Sequence, residues 1–197
     1  MKPYLTLSLT EQCNMRCVYC PPAGENYHTQ RAIFSLPKLS NVLRRAAALD
    51  LGKVRFTGGE PLLYPDLRAA VEAAAGWGLE VHINTNGLLL EHHLGWMSAI
   101  PNLQIKVSLD AVLPQTLERI SGVNRLEQIL NGLRWGAQLG LVRRINFVLT
   151  RLNADQFPGV LDLCRSLGVG LKVFDMFPVP ETALRWQELY QAVDELP

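Results

Sequence analysis

At 197 residues, with 19 basic and 18 acidic side chains and a formal net charge of +1, the chain is long enough to bury one sizeable core and carries no electrostatic footprint for nucleic acid. It holds no run of about 18 apolar residues, so no membrane span is expected. The start, MKPYLTLSLTEQC, alternates apolar with polar residues and does not read as a secretory signal. The expected setting is therefore the cytoplasm, where clustered cysteines serve as metal ligands or catalysts rather than as disulfides.

In chain order the first strand is expected at 4–10 (YLTLSLT), followed by a cysteine-rich loop and a helix over 36–50. A strand at 53–57 and a helix at 65–77 come next, then a strand at 80–85 and a helix at 88–99. A strand at 104–110 leads into helical sequence over 114–139, broken near Ser121–Gly122. A strand at 143–150, a helix at 153–167 and a strand at 171–177 complete the alternation, and 181–197 reads as an amphipathic C-terminal helix. Gly52, Gly78, Gly140 and Gly168 each fall just past a helical stretch, where glycine commonly ends helices. Strands alternating with helices, without hairpin signals, predict a parallel α/β sheet.

Strand parity narrows that class. One parity is apolar: Leu5/Leu7/Leu9, Val54/Phe56, Val81/Ile83, Ile105/Val107/Leu109, Ile145/Phe147/Leu149 and Leu171/Val173. The other is polar, where a doubly wound sheet would be apolar on both faces. The expected fold is thus an α/β protein with a partial (β/α)6 barrel of parallel strands over 1–180, its polar face a lumen open at the C-terminal strand ends. Five cations, Lys53, Arg55, Lys106, Arg144 and Lys172, fall on the polar parity, and arginine outnumbers lysine 14 to 5 in the chain. Such an array predicts an anionic ligand; the alternative is that Glu60, Asp110 and water satisfy the charges. His82 shares this parity low in its strand and reads as structural.

Cys13, Cys17 and Cys20 lie in the loop after the first strand, leaving Cys164 alone on a later helix as a buried structural thiol. Three thiolates fit a four-ligand zinc site poorly and a [4Fe–4S] cluster well, because three-cysteine ligation leaves one iron open. TGGEP (57–61) follows the second strand. Gly58 and Gly59 permit close backbone approach to a ligand, and Glu60 is suited to an ammonium group. NTNG (84–87) ends the third strand, and VSLDA (107–111) ends the fourth, with Ser108 and Asp110 suited to a ribose.

Cys13-x3-Cys17-x-Tyr19-Cys20, with these elements in order, resembles the signature of the radical S-adenosylmethionine (SAM) superfamily. TEQCNMRCVYCPPAGE, KVRFTGGEPLLYPDL, NTNGLLL, VSLDA, RISGVNRLEQILNGL and LKVFDMFPV are similar, over residues 4–179, to the GTP 3′,8-cyclase family of molybdenum-cofactor biosynthesis. The resemblance implies a [4Fe–4S] cluster on Cys13, Cys17 and Cys20, and SAM contacts from Tyr19, Gly59 and Ser108, with Phe177 over the adenine. It places Arg55, Asn84 and Arg144 at a GTP site, with Lys172 near the same anion. It further implies reductive cleavage of SAM, hydrogen abstraction from a small anionic substrate, and a flavodoxin- or ferredoxin-like reductant, with no nucleic-acid or membrane partner.

The sequence departs from that family in three respects. Thr6 stands where the family has an arginine, Phe177 stands in place of a methionine, and the residues present hold no second cysteine triad of the kind that anchors the purine in its C-terminal domain. Three expectations stay open: a cyclase barrel core acting on GTP, a compact radical SAM enzyme acting on a peptide or another metabolite, and a non-catalytic iron–sulfur or SAM-binding module.

Overall fold

A computed structural model describes residues 2–20, 34–175, 190–192 and 196. Phe177 and nearly all of the helix expected over 181–197 lie outside the described residues.

Among the described residues, six parallel strands form one sheet in the order β1 (Tyr4–Ser8), β2 (Lys53–Thr57), β3 (Glu80–Thr85), β4 (Leu103–Ser108), β5 (Val142–Val148) and β6 (Gly170–Phe174). Every strand pairs with its sequence neighbour, so the order never reverses and there is no switch point of the doubly wound kind. With right-handed crossovers, that order sets α1 (Leu36–Ala48), α2 (Leu67–Gly76), α3 (Leu90–Met97), α4 (Pro114–Ser121), α5 (Leu126–Gln138) and α6 (Phe157–Leu167) on one face. The result is the partial (β/α)6 barrel expected from parity.

The core lies between the helices and the apolar parity. Val54, Phe56, Val81, Ile83, Ile105, Val107, Ile145 and Phe147 are all fully buried. At the sheet edges Leu5, Leu171 and Val173 are only partly buried, since each edge strand has a neighbour on one side. Helical sequence over 114–139 divides as expected, with Gly122 in the left-handed conformation (φ 71°) ending α4. Gly52 does not end α1; Asp50 takes the left-handed position (φ 59°). Trp77 and Trp135 are 49% and 40% exposed. His82 is buried as expected, and so is Cys164, whose thiol faces the Gly170 carbonyl.

Candidate active site

The described start of the loop after β1 is tied to its surroundings on two sides. Arg16 and Val18 donate their backbone N–H groups to the Ser121 and Ile120 carbonyls at the end of α4, at 2.8 and 2.9 Å. On the other side Gly59 N–H donates to Thr10 O and Glu60 N–H to Gln12 O, at 2.8 and 2.6 Å. A β-carbon on Gly58 would sit 2.4 Å from Thr10 O, and one on Gly59 would sit 2.2 Å from Gln12 O. The two glycines are thus required by the close passage of another backbone. Both also line the cavity beside it.

That cavity, of about 500 Å³, opens at the C-terminal ends of the strands and falls in the size range of small-molecule sites. Cys13, Cys17, Tyr19, Cys20, Gly58, Gly59, Asn84 and Ser108 all line it, joined by Asn86 and Asn146, which sequence reasoning did not single out. Arg55, Arg144 and Lys172 are not in its wall. They stand on the same strand faces two residues below Thr57, Asn146 and Phe174, which are.

Glu60 and Asp110 do not occupy the positions expected of them. Glu60 is fully buried: Oε1 accepts from Leu62 N (2.9 Å) and Thr85 Oγ1 (2.6 Å), and Oε2 from Asn86 N (2.7 Å). Its carboxylate binds β2 to the end of β3 instead of facing the cavity, and burial pushes its pKa up to about 7 despite three donors. Asp110 accepts from Tyr19 Oη (2.5 Å) and Val148 N (2.7 Å), and burial raises it to about 6. Neither acid pairs with a lumen cation. Glu80 does, hydrogen-bonded to His82 Nε2 at 2.6 Å and 3.8 Å from Lys53 Nζ.

Asn86 is the structure's addition to the site. Its amide donates to Asn14 Oδ1 at 2.6 Å and approaches Cys13 Sγ at 3.8 Å, while its Oδ1 accepts from Leu88 N. It lies in the NTNG motif, two residues beyond Asn84. Asn153, also missed, is fully buried: Oδ1 accepts from Thr150 N and Oγ1, and Nδ2 donates to the Asp110 and Val148 carbonyls.

The thiols fit a cationic multi-iron group. Cys13 is raised by burial first, and Cys17 by its hydrogen bond to Cys20 and then by burial; both are also raised by a nearby carboxylate, Glu60 and Asp110 respectively. A bound cation opposes these effects by stabilising thiolate. Among the described residues, no three His, Cys, Asp or Glu side chains converge as ligands for a single ion. Thiols arranged around a cavity, with an amide beside one sulfur, suit a cluster whose irons sit at separate corners.

Below the cavity the inner face is strongly positive. Arg144 and Lys106 each have their pKa lowered by burial first and by the Arg55 charge next. Arg55 Nε and Asn84 Oδ1 are buried without a hydrogen-bond partner.

Residues 7–164 match the Radical SAM superfamily. The chain is 36% identical over 197 residues to a GTP 3′,8-cyclase of Stenotrophomonas maltophilia, covering 98% of this chain and 60% of that protein. It is 28% identical over 177 residues to a probable GTP 3′,8-cyclase of Methanococcus maripaludis, covering 89% and 59%. The chain therefore spans about 60% of the length of these relatives. Among solved structures, Streptococcus suis SuiB bound to S-adenosylmethionine superposes with a TM-score of 0.73 at 20% identity, over 88% of this chain and 39% of that one. The fold, the placement of the cysteine loop and a match over most of the chain lead to one conclusion: the protein belongs to the radical SAM superfamily.

Proposed function

We infer that the chain is the barrel of a radical SAM enzyme of the GTP 3′,8-cyclase type, with a [4Fe–4S] cluster on Cys13, Cys17 and Cys20. The observation that carries this reading is the meeting of the three thiols, Gly58, Gly59 and Ser108 at one cavity, above a lumen face that carries Arg55, Lys106 and Arg144. Bound there, the cluster held by Cys13, Cys17 and Cys20 would, together with SAM, supply radical hydrogen-abstraction chemistry.

The residues of the chain bind, orient and shield. Backbone bonds to α4 and to the glycine turn fix the cysteine loop before any ligand arrives. Gly58 and Gly59 leave backbone within reach of the methionine moiety of SAM. Ser108 offers a hydroxyl to its ribose, and Tyr19, held by Asp110, walls the same space. Glu60 and Asp110 act by positioning these groups. Arg55, Asn84 and Arg144 receive the anionic part of the substrate, with Lys172 at the rim over the Phe174 ring. A flavodoxin- or ferredoxin-like protein is the electron donor in this reading.

The test is anaerobic reconstitution with iron and sulfide, then dithionite and SAM with or without GTP. 5′-Deoxyadenosine formation stimulated by GTP supports the reading. Turnover indifferent to GTP refutes the substrate, and no SAM cleavage refutes the enzyme.

A further inference from the structure

Asn86 is held at three of its polar atoms. Its backbone N–H donates to Glu60 Oε2 at 2.7 Å. Its Oδ1 accepts from Leu88 N at 3.0 Å, which settles the orientation of the amide: oxygen toward that N–H, nitrogen toward the cysteine loop. Nδ2 carries two hydrogens. One goes to Asn14 Oδ1 at 2.6 Å, leaving the other for Cys13 Sγ, 3.8 Å away.

The local fold fixes this placement. Asn86 directly follows Thr85, the last residue of β3, and Gly87 then turns the chain with φ 81°. A β-carbon at Gly87 would lie 2.7 Å from Val107 Cγ1, so the turn has room for glycine alone. Glu60 accepts from both Thr85 Oγ1 and the Asn86 N–H, so the carboxylate next to the Gly58–Gly59 turn also holds this amide. Asn86 lines the same cavity as the three thiols. A neutral thiol is a weak acceptor, and the 3.8 Å separation is that of a weak bond. A sulfur that carries negative charge is a stronger acceptor, so the contact gains strength once Cys13 ligates metal.

We propose that Asn86 donates an N–H···S hydrogen bond to the Cys13 sulfur as a cluster ligand, and thereby raises the reduction potential of the cluster. Reduction adds negative charge to the cluster and its sulfurs, and a donor fixed at one sulfur stabilises the reduced form more than the oxidised one. Asn86 is thus a positioning residue that ligates neither iron nor substrate. This rests on the reading that Cys13, Cys17 and Cys20 hold a [4Fe–4S] cluster, and adds to it a determinant of how readily that cluster accepts an electron.

The experiment is a redox titration of the anaerobically reconstituted protein without SAM, followed by electron paramagnetic resonance, beside iron and sulfide analysis. N86D keeps an oxygen for Leu88 N and removes the donor, whereas N86L removes both. In each, the ratio of reduced to oxidised cluster at the wild-type midpoint is expected to fall about tenfold, equivalent to a midpoint lower by about 59 mV for one electron. The shift is expected to be larger in N86D, which adds a negative charge. Electron–nuclear double resonance of the reduced wild-type protein in H2O and D2O is expected to show an exchangeable proton coupling that both variants lose. Loaded variants with the wild-type midpoint confine Asn86 to a structural role and overturn the proposal. If neither variant retains iron, the wild-type spectra decide alone, and absence of the exchangeable coupling overturns the proposal. Failure of the wild-type protein to hold about four irons overturns the cluster reading itself, a result that the iron and sulfide counts separate from an unmoved midpoint.

Discussion

The Tyr19 hydroxyl donates to Asp110 Oδ2 at 2.5 Å, joining residues 91 positions apart. Because Asp110 Oδ1 accepts from Val148 N, one carboxylate ties the cysteine loop to the ends of both β4 and β5. Y19F leaves a buried carboxylate oxygen without its donor. The expected cost is about 1–3 kcal/mol in denaturant unfolding of the metal-free protein. D110N keeps the shape but weakens charge-assisted bonds, and a similar loss is expected. Iron retention after anaerobic gel filtration is expected to fall in both variants.

Glu60 makes stability depend on pH. Its folded pKa is about 7 against an ordinary 4.5, because burial outweighs its three donors. Below pH 4.5 the group is protonated in both states. Between 4.5 and 7 the unfolded chain gives up the proton and the folded protein keeps it, so stability from this group falls as pH rises and the penalty is complete above 7. Asp110, raised to about 6, adds a fall of the same sign over a lower window. E60Q loses an acceptor for Asn86 N but carries no titrating charge. Denaturant midpoints are therefore expected to show E60Q further below wild type at pH 5 than at pH 7.5. A constant gap contradicts the assignment.

Gly59→Ala places a methyl group 2.2 Å from the Gln12 carbonyl oxygen, backbone that the Arg16 and Val18 bonds hold from the far side. The expected loss is about 1–3 kcal/mol or more, the range for overpacking. It is read as a lowered melting temperature of the metal-free protein, with reduced iron uptake. Gly78→Ala, where the added carbon meets nothing within 4 Å, tests φ alone (+76°) and is expected to keep iron uptake unchanged.

N153A removes four hydrogen bonds that close the Thr150 turn onto the ends of β4 and β5. Stability is expected to fall by about 2–4 kcal/mol, since each unsatisfied buried group costs about 1–3 kcal/mol and the cavity admits water to some. N153D is expected to be worse. Its carboxylate would face the Asp110 and Val148 carbonyls with no donor to offer them.

Alternation along each strand made the fold legible: a parallel sheet that is apolar on one face has to put its helices there, and burial follows that parity. Motif spacing made the cysteine loop legible in the same way, and the neighbour-by-neighbour strand order agrees with it. What stayed hidden were partnerships set by tertiary distance. Glu60 and Asp110 looked like ligands because acids at strand ends commonly are, yet each meets N–H and O–H donors that only folding brings near. Thr85 was a missed clue: a polar residue at a core-facing position, it donates to Glu60. Glu80 shares parity with His82 and Asn84 and was one step beyond the pattern that identified the lumen. Asn153 left no trace, since nothing near it in sequence shows that two strand ends converge there.

The central claim is that Cys13, Cys17 and Cys20 hold a [4Fe–4S] cluster with one iron left for SAM. Iron and acid-labile sulfide analysis of the anaerobically reconstituted protein, with electron paramagnetic resonance of the reduced sample before and after SAM, tests it most directly. About four irons per chain and a signal that changes on adding SAM are predicted, both lost in C17A. Zinc or no metal after reconstitution, or a cluster signal indifferent to SAM, contradicts the account.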